Sequence, residues 1–160
     1  MNAAVTFTQA QLYAVTEQQM QMQIEAICQK LELELCERQY RIGKFRLDAT
    51  ARDPKTHALA VIELKSCMRT DALGQLLLYR RALKAKTDKC VARSILVSTY
   101  IDKGLIFVVN DLALSGQGIE LWQYEPRQES DFGLHRVFPD RRESYCDRPG
   151  IWDQADPTAR

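Results

Sequence analysis

The run Val61-Ile62-Glu63-Leu64-Lys65 places a carboxylate and an ammonium on one face of a strand, roughly 6.6 Å apart, with Ile62 and Leu64 turned the other way. An acid-x-lysine triplet is common by chance, and the chain holds a second one, Asp53-Pro54-Lys55. Proline cannot donate to a central ladder, so that second triplet reads as an exposed turn. Glu63 differs because its strand is strongly apolar and because Asp48 stands fifteen residues earlier on the polar face of the preceding strand. A hairpin can bring the two carboxylates together.

Two carboxylates with a backbone carbonyl, for which Leu64 is the natural candidate, form a hard oxygen site suited to Mg²⁺ or Mn²⁺ with waters retained. A cation there would activate a water and neutralise charge on a scissile phosphate, with Lys65 orienting the water or stabilising the transition state. Phosphodiester hydrolysis is the reaction such a group suits. The competing reading is a same-face ion pair worth under about 1 kcal/mol.

The elements that must position these residues follow from periodicity. Met20, Ile24, Ile27, Leu31 and Leu35 recur at helical steps, which predicts a first helix from Thr16, as N-cap, to about Glu37. Alternation then predicts strands over Tyr40 to Arg52 and Ala58 to Ser66, joined as a hairpin. Thr70 or Asp71 is expected to cap a helix reaching Lys86. A buried strand follows at Ser94 to Val97, then a helix from Asp102, then a strand over Ile119 to Tyr124. Residues 1–125 read as one domain, and 126–160 as an irregular tail wrapped on it. The order is α-β-β-β-α-β-α-β with a short first strand.

Three segments in succession resemble the motifs of the PD-(D/E)XK nuclease superfamily in its RecB-like and NucS-like branch. They are Gly43-Lys44-Phe45-Arg46-Leu47-Asp48, Ile62-Glu63-Leu64-Lys65 and Gln75-Leu76-Leu77-Leu78-Tyr79. The family patterns are G-h-h-x-D, (D/E)-h-K and Q-h-x-x-Y, and Gly43 stands one residue further from Asp48 than the first pattern asks. The resemblance spans roughly Thr16 to Tyr124. It implies an α/β restriction-endonuclease-like core, a central mixed sheet flanked by helices. It also implies a Mg²⁺- or Mn²⁺-dependent deoxyribonuclease with DNA as partner, metal at Asp48, Glu63 and the Leu64 carbonyl, and Lys65 as catalytic lysine. Gln75 and Tyr79, four residues apart on one helix face, would hold substrate phosphate or Lys65. Glu17 is the choice for the family's first-helix glutamate, over Glu25. A catalytically silent DNA- or protein-binding module is the alternative class. A homodimer is expected by analogy with other small nucleases.

Bulk numbers agree with a globular enzyme domain and remove other classes. The chain has 160 residues, 46% apolar and 27% charged, close to globular averages. No apolar run approaches the roughly 20 residues of a bilayer span, and Met1 to Leu12 carries no basic residue or apolar core of a leader. A cytoplasmic protein without membrane contact is expected. The five cysteines form no C-x-x-C pair, so they read as reduced thiols. The net charge of +1 conceals basic clusters at Arg38, Arg41, Lys44 and Arg46 and at Arg80 to Arg93. Cys67 reads as a plain thiol and Trp122 and Tyr124 as packing residues.

Overall fold

The computed structural model describes residues 17–113, 118–127 and 131–139. Its elements are α1 (Glu17–Met22), α2 (Ile24–Lys30), β1 (Glu34–Ile42), β2 (Phe45–Arg52), β3 (Leu59–Met68), α3 (Thr70–Thr87), β4 (Val91–Ile101), α4 (Lys103–Ala113), β5 (Ile119–Pro126) and β6 (Phe132–Phe138). The strands make one six-stranded sheet in sequential order. The β1-β2-β3 meander and the β5-β6 pair are antiparallel, while β3, β4 and β5 run parallel. The expected mixed sheet flanked by helices is the architecture found.

Two parallel connections in the same direction, each right-handed, must put their crossover helices on one face of the sheet. Accordingly α3 and α4 share a core with Val61, Leu96 and Leu121, whereas α1 and α2 pack with Ile62, Leu64, Ile95 and Val97 on the other side. The period-2 alternation of β3 and β4 is thus split between two cores, which is why both strands read as nearly continuous apolar runs. Period two also assigns Glu63 to the Val61 face, beneath α3.

The first helix is a correction. It is interrupted at Gln23 and ends at Lys30, well short of Glu37. Met20, Ile24, Ile27 and Leu31 do form one buried stripe, but Leu35 belongs to a strand. The stop is a Schellman turn in which the Leu33 and Glu32 amides donate to the Cys28 and Gln29 carbonyls, with Glu32 at φ +58. A glutamate in the position glycine usually takes leaves no stop signal in the sequence. Thr16, the expected cap, lies outside the described residues.

The tail is a second correction: Phe132–Phe138 is a strand paired antiparallel with β5, with one register shift, rather than irregular chain. Its Phe132 ring stacks on Tyr124, centroids 4.9 Å apart. The helix cap is a third. Arg69, in extended conformation, precedes α3, so Thr70 and Asp71 are inside the helix. Asp102 behaves as expected, its Oδ2 accepting the Gly104 amide at 2.8 Å ahead of α4.

Gly43, at φ +57, opens the two-residue loop between Ile42 and Phe45, a conformation glycine adopts without strain. Asp53-Pro54-Lys55 is a turn, with Asp53 Oδ1 accepting the Lys55 and Thr56 amides at 2.8 Å each. At the opposite end of the β4-β5 pair, Arg93 grips Glu120. Nε lies 2.6 Å from Oε1 and Nη2 2.9 Å from Oε2, while Nη1 donates to the Leu31 carbonyl at 3.0 Å. The Trp122 indole N–H adds a third bond to Glu120 at 2.8 Å. Arg93 is therefore committed to the interior and does not belong to a free basic cluster.

Candidate active site

The site forms where β2 and β3 part. Their ladder runs from Arg52 opposite Leu59 to Ala49 opposite Ile62 and pairs nothing beyond. Past that point Asp48 Oδ2 accepts the Leu64 amide at 2.8 Å, so a side-chain oxygen takes the place of a ladder carbonyl. In a strand the N–H and C=O of one residue project to the same edge. The Leu64 carbonyl therefore faces the gap that Asp48 fills.

Two glutamines hold the other Asp48 oxygen. Gln21 of α1 donates from Nε2 to the Asp48 carbonyl and to Oδ1, both at 3.2 Å. Gln39 of β1 donates to the same Oδ1 at 3.3 Å. In register Gln39 stands opposite Asp48, between the Arg38–Ala49 and Tyr40–Leu47 pairs, and its φ of +50 is a left-handed conformation that costs a non-glycine residue. Sequence reasoning misses both glutamines. Gln21 has a signal, since it follows Glu17 by four residues and shares its helix face. Gln39 has none, because its strand begins inside the segment whose periodicity reads as helix.

Glu63 is 3% exposed. Its Oε1 lies 3.3 Å from Lys65 Nζ, and its buried Oε2 has no hydrogen-bond partner. Burial, and then the charge of Asp48, push its carboxyl up to about 7, with Lys65 offsetting only part. Lys65 lies 3.9 Å from Glu17 Oε1 on its other side. Burial alone would lower the lysine, but the charges of Glu63 and Glu17 outweigh it and hold the ammonium above its usual range.

On α3, Gln75 Nε2 donates to the Tyr79 hydroxyl at 2.9 Å. The two are bonded to each other, not to Lys65. Tyr79 is buried, its ring meeting Phe45 edge-on at 5.9 Å. Burial and then the charge of Glu63 raise its hydroxyl above the ordinary phenol range, which places it within electrostatic reach of the acids. The expected site residues are thus linked pairwise: Asp48 to Leu64, Lys65 to both Glu63 and Glu17, and Gln75 to Tyr79.

No protein-family model and no curated sequence matches the chain. Solved structures do. A repair endonuclease from Pyrococcus abyssi superposes with a TM-score of 0.56 at 23% identity, over 78% of this chain and 50% of that one. The fold is shared with a repair endonuclease. The EndoMS–dsDNA2 complex gives 0.53 at 24% identity, over 79% of this chain and 51% of that one. EndoMS in its apo form gives 0.50 at 21%, over 78% and 49%. The chain spans about half the length of the chains it matches, and at these identities the likeness establishes the fold alone.

Other candidate chemistry finds no such convergence. Cys28, Cys36, Cys67 and Cys90 are free thiols, and among the described residues no three Cys, His, Asp or Glu side chains gather as a metal cage. Cys146 lies outside them. His135 pairs with Glu125 at 3.0 Å on β6 and β5, and His57 sits in the β2-β3 turn. Among the described residues no helix is long and apolar enough to cross a membrane.

Proposed function

We propose that the chain is a Mg²⁺- or Mn²⁺-dependent deoxyribonuclease of PD-(D/E)XK type, RecB-like or NucS-like. It would hydrolyse DNA phosphodiester bonds in repair, recombination or mobile-element defence. The observation that carries this reading is Glu63 Oε2, a buried carboxylate oxygen without a partner beside a second carboxylate. A fold that leaves such an atom unsatisfied stores a cost of about 1–3 kcal/mol, which a bound cation removes. The structural neighbours named as repair endonucleases, one in complex with dsDNA, support the same reading.

The donor set fits Mg²⁺ or Mn²⁺ better than zinc. Asp48, Glu63 and the Leu64 carbonyl are hard oxygens, too few for a closed cage, which suits a cation that keeps several waters. When bound, the cation supplies Lewis acidity toward the phosphate and a lowered pKa for a coordinated water. Asp48 is fixed by three side-chain or backbone N–H groups and so arrives pre-oriented. Lys65, held charged between Glu63 and Glu17, can orient the attacking water or donate to a phosphate oxygen. The Tyr79 oxygen accepts from Gln75, which leaves its own O–H to donate toward substrate.

The test is cleavage of labelled single-stranded, duplex and branched DNA with Mg²⁺, Mn²⁺ or EDTA. The wild type should cut only with metal. Asp48→Ala and Lys65→Ala should each lose activity by at least about 10²–10³-fold. Absence of cutting, with DNA binding unchanged in both variants, would show a silent binding module instead.

A further inference from the structure

Helix α4 holds five apolar residues in a row, Leu105-Ile106-Phe107-Val108-Val109, which carry apolar surface around its whole circumference. A helix of that kind is ordinarily covered on all sides. Among the described residues only one side is covered: Leu105 and Val109 are buried in the core shared with α3, while Phe107 is 49% exposed and Val108 36%. The exposed stripe is Lys103, Gly104, Phe107, Val108 and Asp111, residues that helical steps of three and four bring to one face. Its charges stand at opposite ends, four residues either side of Phe107. Among the described residues neither Lys103 nor Asp111 takes part in an ion pair.

We propose that α4 is the interface of a homodimer, packed antiparallel on the same helix of a second copy across a two-fold axis at Phe107. A two-fold contact must be self-complementary, because the same patch supplies both sides of it. This stripe meets that condition. An antiparallel pair centred on Phe107 brings the two rings together and sets Lys103 opposite the partner's Asp111, and Asp111 opposite the partner's Lys103. A parallel pair would oppose like charges at both ends. The layout, an apolar aromatic centre between charged ends, is that of an interface core with its polar rim. The inference does not rest on the nuclease reading, since α4 packs over β5 and β6, away from the β2-β3 gap.

Mass is measured by sedimentation velocity of the full chain from about 1 to about 300 µM, since a contact centred on one helix pair lies at the small end of specific interfaces and should dissociate in the micromolar range. The wild type should move from monomer toward twice that mass across the range. F107E sets two carboxylates at the axis and should weaken the dimer at least about a hundredfold. K103E turns both end pairs from attraction to repulsion and should weaken it roughly tenfold, whereas K103E/D111K, with the charges exchanged, should return it to within about twofold of wild type. At the dilute end all three variants should melt no lower than wild type, because the changed positions are exposed. The charge exchange keeps the test decisive should F107E fail to fold. A wild type that stays monomeric throughout overturns the proposal. So does a dimer unmoved by F107E, or a K103E dimer that the exchange does not rescue.

Discussion

Glu63 and Glu120 are both buried glutamates on interior strands of one sheet, 3% and 9% exposed, and their surroundings are opposite. Burial alone would raise Glu120, but hydrogen bonds from Arg93 and Trp122, together with the arginine's charge, hold its carboxyl below the ordinary value. Glu63 has one lysine contact, a neighbouring acid and an oxygen with no partner, and its carboxyl is pushed up to about 7. The first acid is satisfied from within and ties β4 and β5 to the end of α2. Among the described residues nothing pairs with the Oε2 of the second. Buried polar groups are normally paired, so an unpaired carboxylate oxygen beside a second acid is what singles Glu63 out as a candidate.

The contrast breaks most visibly at Arg93. Arg93→Ala strands Glu120 without its cation and should destabilise the fold by about 3–5 kcal/mol, read by urea unfolding. The sign with pH is fixed. Because the folded Glu120 carboxyl is depressed, its stabilisation is present above the ordinary value of 4.5 and is lost as pH falls through the folded value. In Arg93→Ala the penalty should shrink in acid, where Glu120 protonates. A penalty that is constant with pH would mean that the pair is not what holds β4 to β5.

Much of this contrast is legible without the fold. Glu63, Lys65 and Asp48 stand out because a strand's period of two and a hairpin suffice to bring them together. Tyr79 and Gln75 follow from a helical step of four. The supports do not show. Gln39 works through a left-handed backbone on a strand whose start is set by Glu32, another non-glycine at positive φ. Local composition carries no mark of either. The Arg93–Glu120 pair spans 27 residues and depends on the parallel register of β4 and β5, which no short pattern encodes. β6 escapes a local reading for the same reason: Phe132–Phe138 is a strand because β5 offers it an edge.

A smaller effect sharpens the comparison from the site's side. Gln21→Ala removes one amide from Asp48 without touching Glu63 or Lys65. Without such an orienting hydrogen bond, metal affinity should weaken by about 10–100-fold, measured by Mn²⁺ titration calorimetry, with little change in melting temperature. Unaltered affinity would reduce Gln21 to packing.

The most direct test compares melting temperatures of wild type, Glu63→Gln and Glu120→Gln in EDTA and in saturating Mg²⁺. At about a hundred times Kd, metal should stabilise the wild type by about 2.7 kcal/mol. Glu63→Gln should melt at or above the wild type in EDTA and gain nothing from Mg²⁺, because the buried acid that repels Asp48 and the proposed ligand are the same atom group. Glu120→Gln should melt lower in both conditions and keep the full metal shift. A Mg²⁺ shift retained in Glu63→Gln would contradict the assignment of Glu63 as an acid held open for a cation.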